Sequence, residues 1–349
     1  MSGSINPIIL LNQEGKVAER MRMLGFNTII HPFFYLWERP KRLKTLLHHP
    51  NRSTYYRFLT VNRKCVRDTI ADLKGTHVDM VHSNTSITTV GVPLAKKLGA
   101  KHVWHIREFL DLDFGISVYG GRDRLRRMIN TADVRICVSK AVSSHWHFVP
   151  ENTHVLWDAV GFDDHPECHF GLKERFFLFC AANVTRQKGA IEAVEAFCLS
   201  KLSLEGYCLK IVGHCEDSFR NELLSIAAQH GEGGNIVFYD YTNQIHEFFS
   251  RATAFLMCSQ CEALGRVSVQ AMYNHSLVIA KNAGGTTDFI RNKETGLLYD
   301  TVDECASLMR FAANNDLSGI TDRACLFVKE NFSFEHYRTE LSRIYQSIC

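Results

Sequence analysis

The sequence predicts an α/β protein of two domains, each a doubly wound parallel sheet. Three observations carry this. A chain of 349 residues is longer than one hydrophobic core usually organises, which is about 250 to 300 residues. Short apolar runs alternate with helix-length amphipathic segments through the second half, and the same alternation returns less regularly in the first. Strands that alternate with helices are joined by right-handed crossovers, which leave the strands parallel and the helices on both faces.

In chain order, residues 8–11, 28–30, 80–82, 102–106 and 134–138 are the candidate strands of the first half, with candidate helices between them. A polar, aperiodic stretch near residues 160–175 reads as the boundary, giving domains at 1–165 and 166–330. A last helix at 331–349 is expected to return towards the first domain. In the second half, residues 176–182 (FFLFCAA), 207–213, 236–239, 253–258 and 277–280 are short apolar runs of the kind that strands buried on both faces show. Helices are expected at 189–200, 219–230 and 243–251; in the first of these Ile191, Val194, Phe197 and Cys198 fall on one helical stripe.

Composition narrows the class. With 46% hydrophobic residues, 22% charged and 7 Pro, the chain is neither disordered nor fibrous. No apolar run approaches the roughly 18 to 20 residues that span a bilayer. The N-terminus lacks a basic segment ahead of its short apolar stretch, so no secretory signal is read and the expected compartment is the cytoplasm. The 12 Cys show no framework spacing and read as reduced, mostly buried thiols; Cys258 and Cys261 form a C-x-x-C with no second pair to complete a zinc site.

Charge is uneven. Residues 1–165 hold 23 Lys and Arg against 15 Asp and Glu, whereas the remainder holds 17 against 22. The excess is densest from Arg39 to Arg67, where Tyr55, Tyr56 and Phe58 interleave with the cations. Three readings stand for that stretch: a solvated helix face, a contact with anionic membrane or lipid phosphate, and nucleic acid. No helix-turn-helix, RNA-recognition or zinc-finger pattern supports the last, so no nucleic-acid partner is expected.

Ligands of an open parallel sheet bind beyond the carboxyl ends of its strands, so the loops there carry the chemistry. After the run at 176–182, NVTRQKGA brings Arg186, Lys188 and Gly189 to a helix start, which would suit a phosphate, although exposed Lys and Arg at a helix start are common without one. After 253–258, CSQCEALGRVSVQAM runs through Glu262 and Gly265 into a helix, with the amides of Leu264, Gly265, Arg266 and Val267 at its N-terminus and Gln270 further in. After 277–280, KNAGGTTDFI offers Gly284 and Gly285 for close backbone approach, followed by Thr286.

The order of these motifs, with Gly213 after a strand and E-T-G-L-L-Y at 294–299, resembles the C-terminal domain of glycosyltransferase family 4 over roughly residues 175–345. HSNTS at 82–86 and WHIREF at 104–109 look like acceptor-domain strand ends of its polysaccharide-building branch. The resemblance implies the GT-B architecture, two Rossmann-like domains facing a cleft, and retaining transfer from a nucleotide sugar. By the match, Glu262 would hold donor-sugar hydroxyls and support positive charge at the anomeric carbon, and Lys188 would neutralise the diphosphate. The 264–267 amides would cradle it, Gly284, Gly285 and Thr286 would lie beside the sugar, and His105 would stand near the reacting centre. Asn84, Arg107 and Glu108 fall on the acceptor side. Retention without a protein nucleophile implies a front-face mechanism with cations in place of a metal. No metal and no cofactor is expected, the nucleotide sugar being a substrate; Asp111 and Asp113 spell D-x-D, but the match places them in an acceptor-side loop.

Three departures qualify the resemblance. Gln270 stands where the family has a second glutamate that grips the ribose, and Asn183 where it has a diphosphate arginine, leaving Arg186 or Arg266 as substitutes. Residues 9–33 look like the family's second β-α unit, so either the chain begins late or the acceptor domain is a shortened variant. The expected function is transfer of a hexose to a glycan or lipid-linked acceptor in surface-polysaccharide or glycolipid assembly, in the cytoplasm or at the inner face of the membrane. The alternative is a degenerate GT-B protein that binds a nucleotide sugar or a partner enzyme without turnover. A dinucleotide oxidoreductase is set aside because no G-x-G-x-x-G follows a strand.

Overall fold

The computed structural model describes residues 5–37, 52–161 and 173–348. The part of the basic stretch at 39–51 and most of the boundary stretch lie outside them. The chain divides into two compact units: 1–137, 146–154 and 345–349 form the first, and 138–145 with 155–344 the second. Neither unit is a single run of chain, whereas the sequence suggests one change at residue 165.

In the first unit the elements are β1 (Ile8–Leu11), α1 (Lys16–Met23), β2 (Asn27–Ile30), α2 (Arg52–Asp72), β3 (Met80–Asn84), α3 (Gly91–Leu98), β4 (Lys101–Ile106), α4 (Asp111–Phe114), α5 (Arg122–Ile129) and β5 (Val134–Cys137). Next come α6 (Lys140–His145), which belongs to the second unit, and β6 (Thr153–Val155). The strands fall into two sheets, a parallel pair β1-β2 and a four-stranded β3-β4-β5-β6. Leu10 of β1 and Val81 of β3 pack on one shared cluster of Phe33, Cys65, Val66, Val90 and Leu94. Burial is deepest in the inner strands of the four-stranded sheet. Every residue of β5 and all of β4 after Lys101 are buried, while β1 is half-buried throughout and Met80 to His82 of β3 are half-buried too. Among the described residues, each of β1 and β3 hydrogen-bonds a strand along one edge only.

The second unit continues with β7 (Glu174–Asn183), α7 (Ala190–Ser200), β8 (Cys208–His214), α8 (Asp217–Gln229), β9 (Ile236–Tyr239), α9 (Ile245–Arg251), β10 (Ala252–Met257), α10 (Arg266–Tyr273) and β11 (Leu277–Lys281). Then follow β12 (Leu297–Tyr299), α11 (Val302–Asn314), α12 (Ser318–Asn331) and α13 (Phe334–Gln346). Its sheet is six-stranded with order β12-β11-β10-β7-β8-β9, each pair parallel. Strand order reverses between β7 and β10. The sheet is a continuous apolar layer because its strands carry Phe177, Phe179, Leu209, Ile211, Ala254, Leu256 and Ile279, all buried, against Val194 and Phe197 of α7 and Met309 of α11. At about 25 cal/mol per Å² of apolar surface, each such phenylalanine contributes about 2 to 3 kcal/mol. No helix among the described residues is long and apolar enough to cross a membrane.

Candidate active site

The reversal of strand order at β7 and β10 sends their outgoing connections apart and opens a crevice beyond their carboxyl ends. The loop after β7 folds into tight turns, Lys188 N–H to Thr185 O at 3.2 Å and Gly189 N–H to Arg186 O at 2.9 Å. Gly189 has φ +80°, and a Cβ there would lie 2.2 Å from the carbonyl oxygen of Cys258, so only glycine lets this turn rest against the end of β10. That approach delivers Lys188: its Nζ lies 2.6 Å from Oε1 of Glu262. Glu262 is largely shielded, at 17% side-chain exposure, whereas Lys188 is 43% exposed.

The glycine-rich turn after β11 packs backbone to backbone on the Glu262 loop. Gly285 N–H donates to the Glu262 carbonyl at 2.7 Å. A Cβ on Gly284 would meet that carbonyl oxygen at 2.7 Å, and one on Gly285 would meet the Ala263 oxygen at 2.0 Å. Thr286 is buried, and its Oγ1 has no hydrogen-bond partner among the described residues. A buried hydroxyl is normally satisfied, and this one lies beside the α10 N-terminus at Gly265. A buttress from far away in sequence holds the turn. The Asp288 carboxylate accepts from the Lys140 amide at 2.6 Å at the start of α6, and burial raises its pKa above the ordinary carboxylate value.

The same unit holds a cavity of about 360 Å³ lined by Ala181, Ala182, Gly213, Asn243, Val267 and Gln270; Lys188, Glu262 and the glycine-rich turn are not part of its lining. Gly213 has φ +136°, and a Cβ would fall 1.8 Å from the Ala181 carbonyl, so glycine is what lets β8 end against β7. Val267 and Gln270 are one turn apart and share the α10 face that lines the cavity. Arg186 is not brought to the Lys188–Glu262 pair. It is ion-paired to Glu222 of α8 and stacked 5.5 Å over Phe219. Arg266 is exposed and Leu264 is buried. Sequence reasoning overlooked the wall formed by Tyr241, Thr242 and Asn243, although they follow β9 and the strand-end rule that found the other loops also points to them.

In the first unit, register pairs Asn84 at the end of β3 with His105 near the end of β4. His105 is 1% exposed, its Nε2 has no partner, and burial, with His82 and Arg107 adding to it, holds its pKa well below the usual histidine value. The ring is therefore neutral at pH 7. His82 lies 5.6 Å away, centroid to centroid, and hydrogen-bonds the Tyr345 hydroxyl at 2.5 Å. Arg107 donates to Asn84 Oδ1 at 3.2 Å. Glu108 is committed to the protein: its carboxylate accepts from the Ser86 amide and hydroxyl, both at 2.8 Å, from the Arg107 amide at 2.9 Å and from the Thr85 hydroxyl. Asp113 binds the amides of Phe109 and Leu110, and Asp111 pairs with Arg122. Among the described residues no three His, Cys, Asp or Glu side chains gather as a metal would require.

Comparison with known proteins supports the same reading of the second unit. Residues 165–317 match the family described as glycosyl transferases group 1. The chain is 26% identical over 310 residues to alpha-maltose-1-phosphate synthase of Mycolicibacterium smegmatis, covering 77% of this chain and 79% of that one. A glycosyltransferase from Rickettsia africae superposes with a TM-score of 0.74 at 19% identity, covering 98% of this chain and 90% of that chain. Anabaena HepE in complex with UDP also gives 0.74, at 14% identity, covering 97% and 92%.

Proposed function

We propose, for a chain that is a glycosyltransferase of GT-B fold with a group 1 domain at residues 165–317, that it transfers a hexose with retention of configuration from a nucleoside-diphosphate sugar to a glycan or lipid-linked acceptor. One observation carries the proposal: Lys188 and Glu262 meet at the strand-order reversal, walled by the Gly284–Gly285 turn and the unpartnered Thr286 hydroxyl. A cation, a shielded carboxylate and free donor groups at one crevice are what a diphosphate joined to a sugar needs.

In this reading the nucleoside occupies the cavity, with Gln270 towards the ribose, and the diphosphate lies across Lys188 and the 264–267 amides. Arrival of the diphosphate draws Lys188 off Glu262. The released carboxylate then holds the sugar's hydroxyls and stabilises the positive charge that develops at its anomeric carbon. The anomeric carbon–phosphate oxygen bond breaks as the bond to the acceptor oxygen forms on the same face, and the departing phosphate oxygen takes the acceptor's proton. Lys188 and the amides meet the leaving-group charge, so the reaction is metal-independent. His105, neutral and buried with an unpartnered Nε2 near the end of β4, is the group of the first unit that the acceptor reading singles out.

Uridine diphosphate is the first nucleotide to test, because Anabaena HepE was crystallised with it. Incubation with a panel of nucleotide sugars and a lipid-linked or oligosaccharide acceptor should release free nucleoside diphosphate with at least one donor. Tight nucleotide binding without release under any donor and acceptor would instead support a binding protein.

A further inference from the structure

Behind the loops of the donor crevice, a lysine and a glutamate meet on a sheet that is otherwise apolar. Lys281, the last residue of β11, places its Nζ 2.8 Å from Oε1 of Glu192 in the first turn of α7, and donates again to the Asp300 carbonyl at 2.9 Å. The same Nζ lies 5.2 Å over the ring of Tyr299, which is buried. The two charged side chains are shielded, at 17% and 12% exposure. Taking two charges out of water costs about as much as their attraction returns, and apolar side chains of similar volume often hold a fold as well. Folding stability alone therefore does not account for an ion pair here.

What the pair spans does account for it. β7 and β11 are not neighbours: β10 lies between them, so their ends stand about 10 Å apart, two strand spacings. Glu192 comes four residues after Lys188, and Lys281 three residues before Gly284. The close approaches at Gly189 and Gly284 seat each outer loop on the middle one, against Cys258 and Glu262. The Lys281–Glu192 pair joins the two outer loops to each other, across the end of the strand whose loop carries Glu262. We propose that Lys281 and Glu192 are positioning residues, which fix the span between these loops and so hold Lys188 and the Gly284–Gly285 turn at the separation a sugar diphosphate needs, without touching it themselves. For what the loops bind, the proposal rests on the donor reading above; for what fixes them, it rests on the pair alone.

Replacing both partners together tests it, because Lys281→Met with Glu192→Leu removes two charges and leaves neither buried alone. The double variant is expected to melt close to wild type, yet to exchange the amides of residues 185–189 and 284–286 with deuterium about tenfold faster. Its affinity for uridine or guanosine diphosphate should fall about tenfold as well. Lys188→Ala should then weaken nucleotide binding about fivefold less in the double variant than in wild type, since a displaced lysine has less contact to lose, and a merely structural pair would show no such coupling. Lys281→Arg, which keeps a cation for Glu192, should stay within about threefold of wild-type affinity. Should the double variant not fold, Glu192→Gln gives the same comparison at smaller amplitude, with exchange at both loops about threefold faster. Wild-type exchange in both loops of the variant that folds, or an undiminished effect of Lys188→Ala in the double variant, would overturn the proposal. Failure of the donor reading shows separately, as faster loop exchange in the variants of a protein that has no affinity for nucleoside diphosphates.

Discussion

Lys188 Nζ and Glu262 Oε1 lie 2.6 Å apart, joining the side chains from the β7 and β10 loops before any substrate arrives. With Lys188 nearly half exposed, such a pair adds at most about 1 kcal/mol to folding. Its removal should therefore be felt in binding and turnover rather than in stability.

Glu262→Ala should abolish transfer, and Glu262→Gln should lower kcat/KM by about 2 to 4 kcal/mol of transition-state stabilisation, both with a near-native melting curve. Turnover of the alanine variant within a few-fold of wild type would remove Glu262 from the site.

Lys188→Ala should weaken nucleoside-diphosphate binding more than Arg186→Ala does, since Arg186 is held by Glu222 and Phe219. Calorimetric titration decides it; equal dissociation constants for wild type and the lysine variant would reject the phosphate assignment.

Gln270 lines the cavity without a charge. Gln270→Glu should tighten uridine or guanosine diphosphate binding by on the order of 1 kcal/mol, because a charged acceptor makes the stronger hydrogen bond to a ribose diol, and Gln270→Ala should weaken it. One affinity shared by all three proteins would mean that the nucleotide does not reach this face of α10.

Burial lowers the pKa of both His82 and His102 to about 4, and His105 lies well below its usual value as well. The unfolded chain, with histidines near 6.5, binds more protons than the folded one between those values, so stability rises with pH from about 4 to 6.5 and is lost on acidification. Each of the first two contributes up to about 3 kcal/mol, and the melting temperature should fall between pH 7 and pH 5. His102→Gln should flatten that dependence; a melting temperature constant over this range in the wild type would contradict the neutral, buried assignment.

Much of this architecture was legible in local pattern. The runs at 8–11 and 236–239 coincide with β1 and β9, and β7 extends the expected run by two residues at its start and one at its end, because a short unbroken apolar run bounded by polar residues stands out in the sequence. β6 and β12, three residues each, are too short to stand out. The glycines were readable as turns, but not the contacts that require them: nothing near Gly285 announces Ala263 as its neighbour. Asp288 and Lys140 are 148 residues apart, and His82 and Tyr345 are 263 apart; only the folded chain brings them together. Glu108 was legible as a strand-end carboxylate, but its use to order residues 85–86 was not.

Among the described residues β1 and β3 pair along a single edge, and this bears on how the first unit behaves in solution. A strand with one bare edge presents a row of amides and carbonyls that another polypeptide can pair with, and an edge with few charged residues does so readily. β1 reads IILL and carries no charge. The amides of β1 and β2 should therefore exchange with deuterium far sooner than those of β4 and β5.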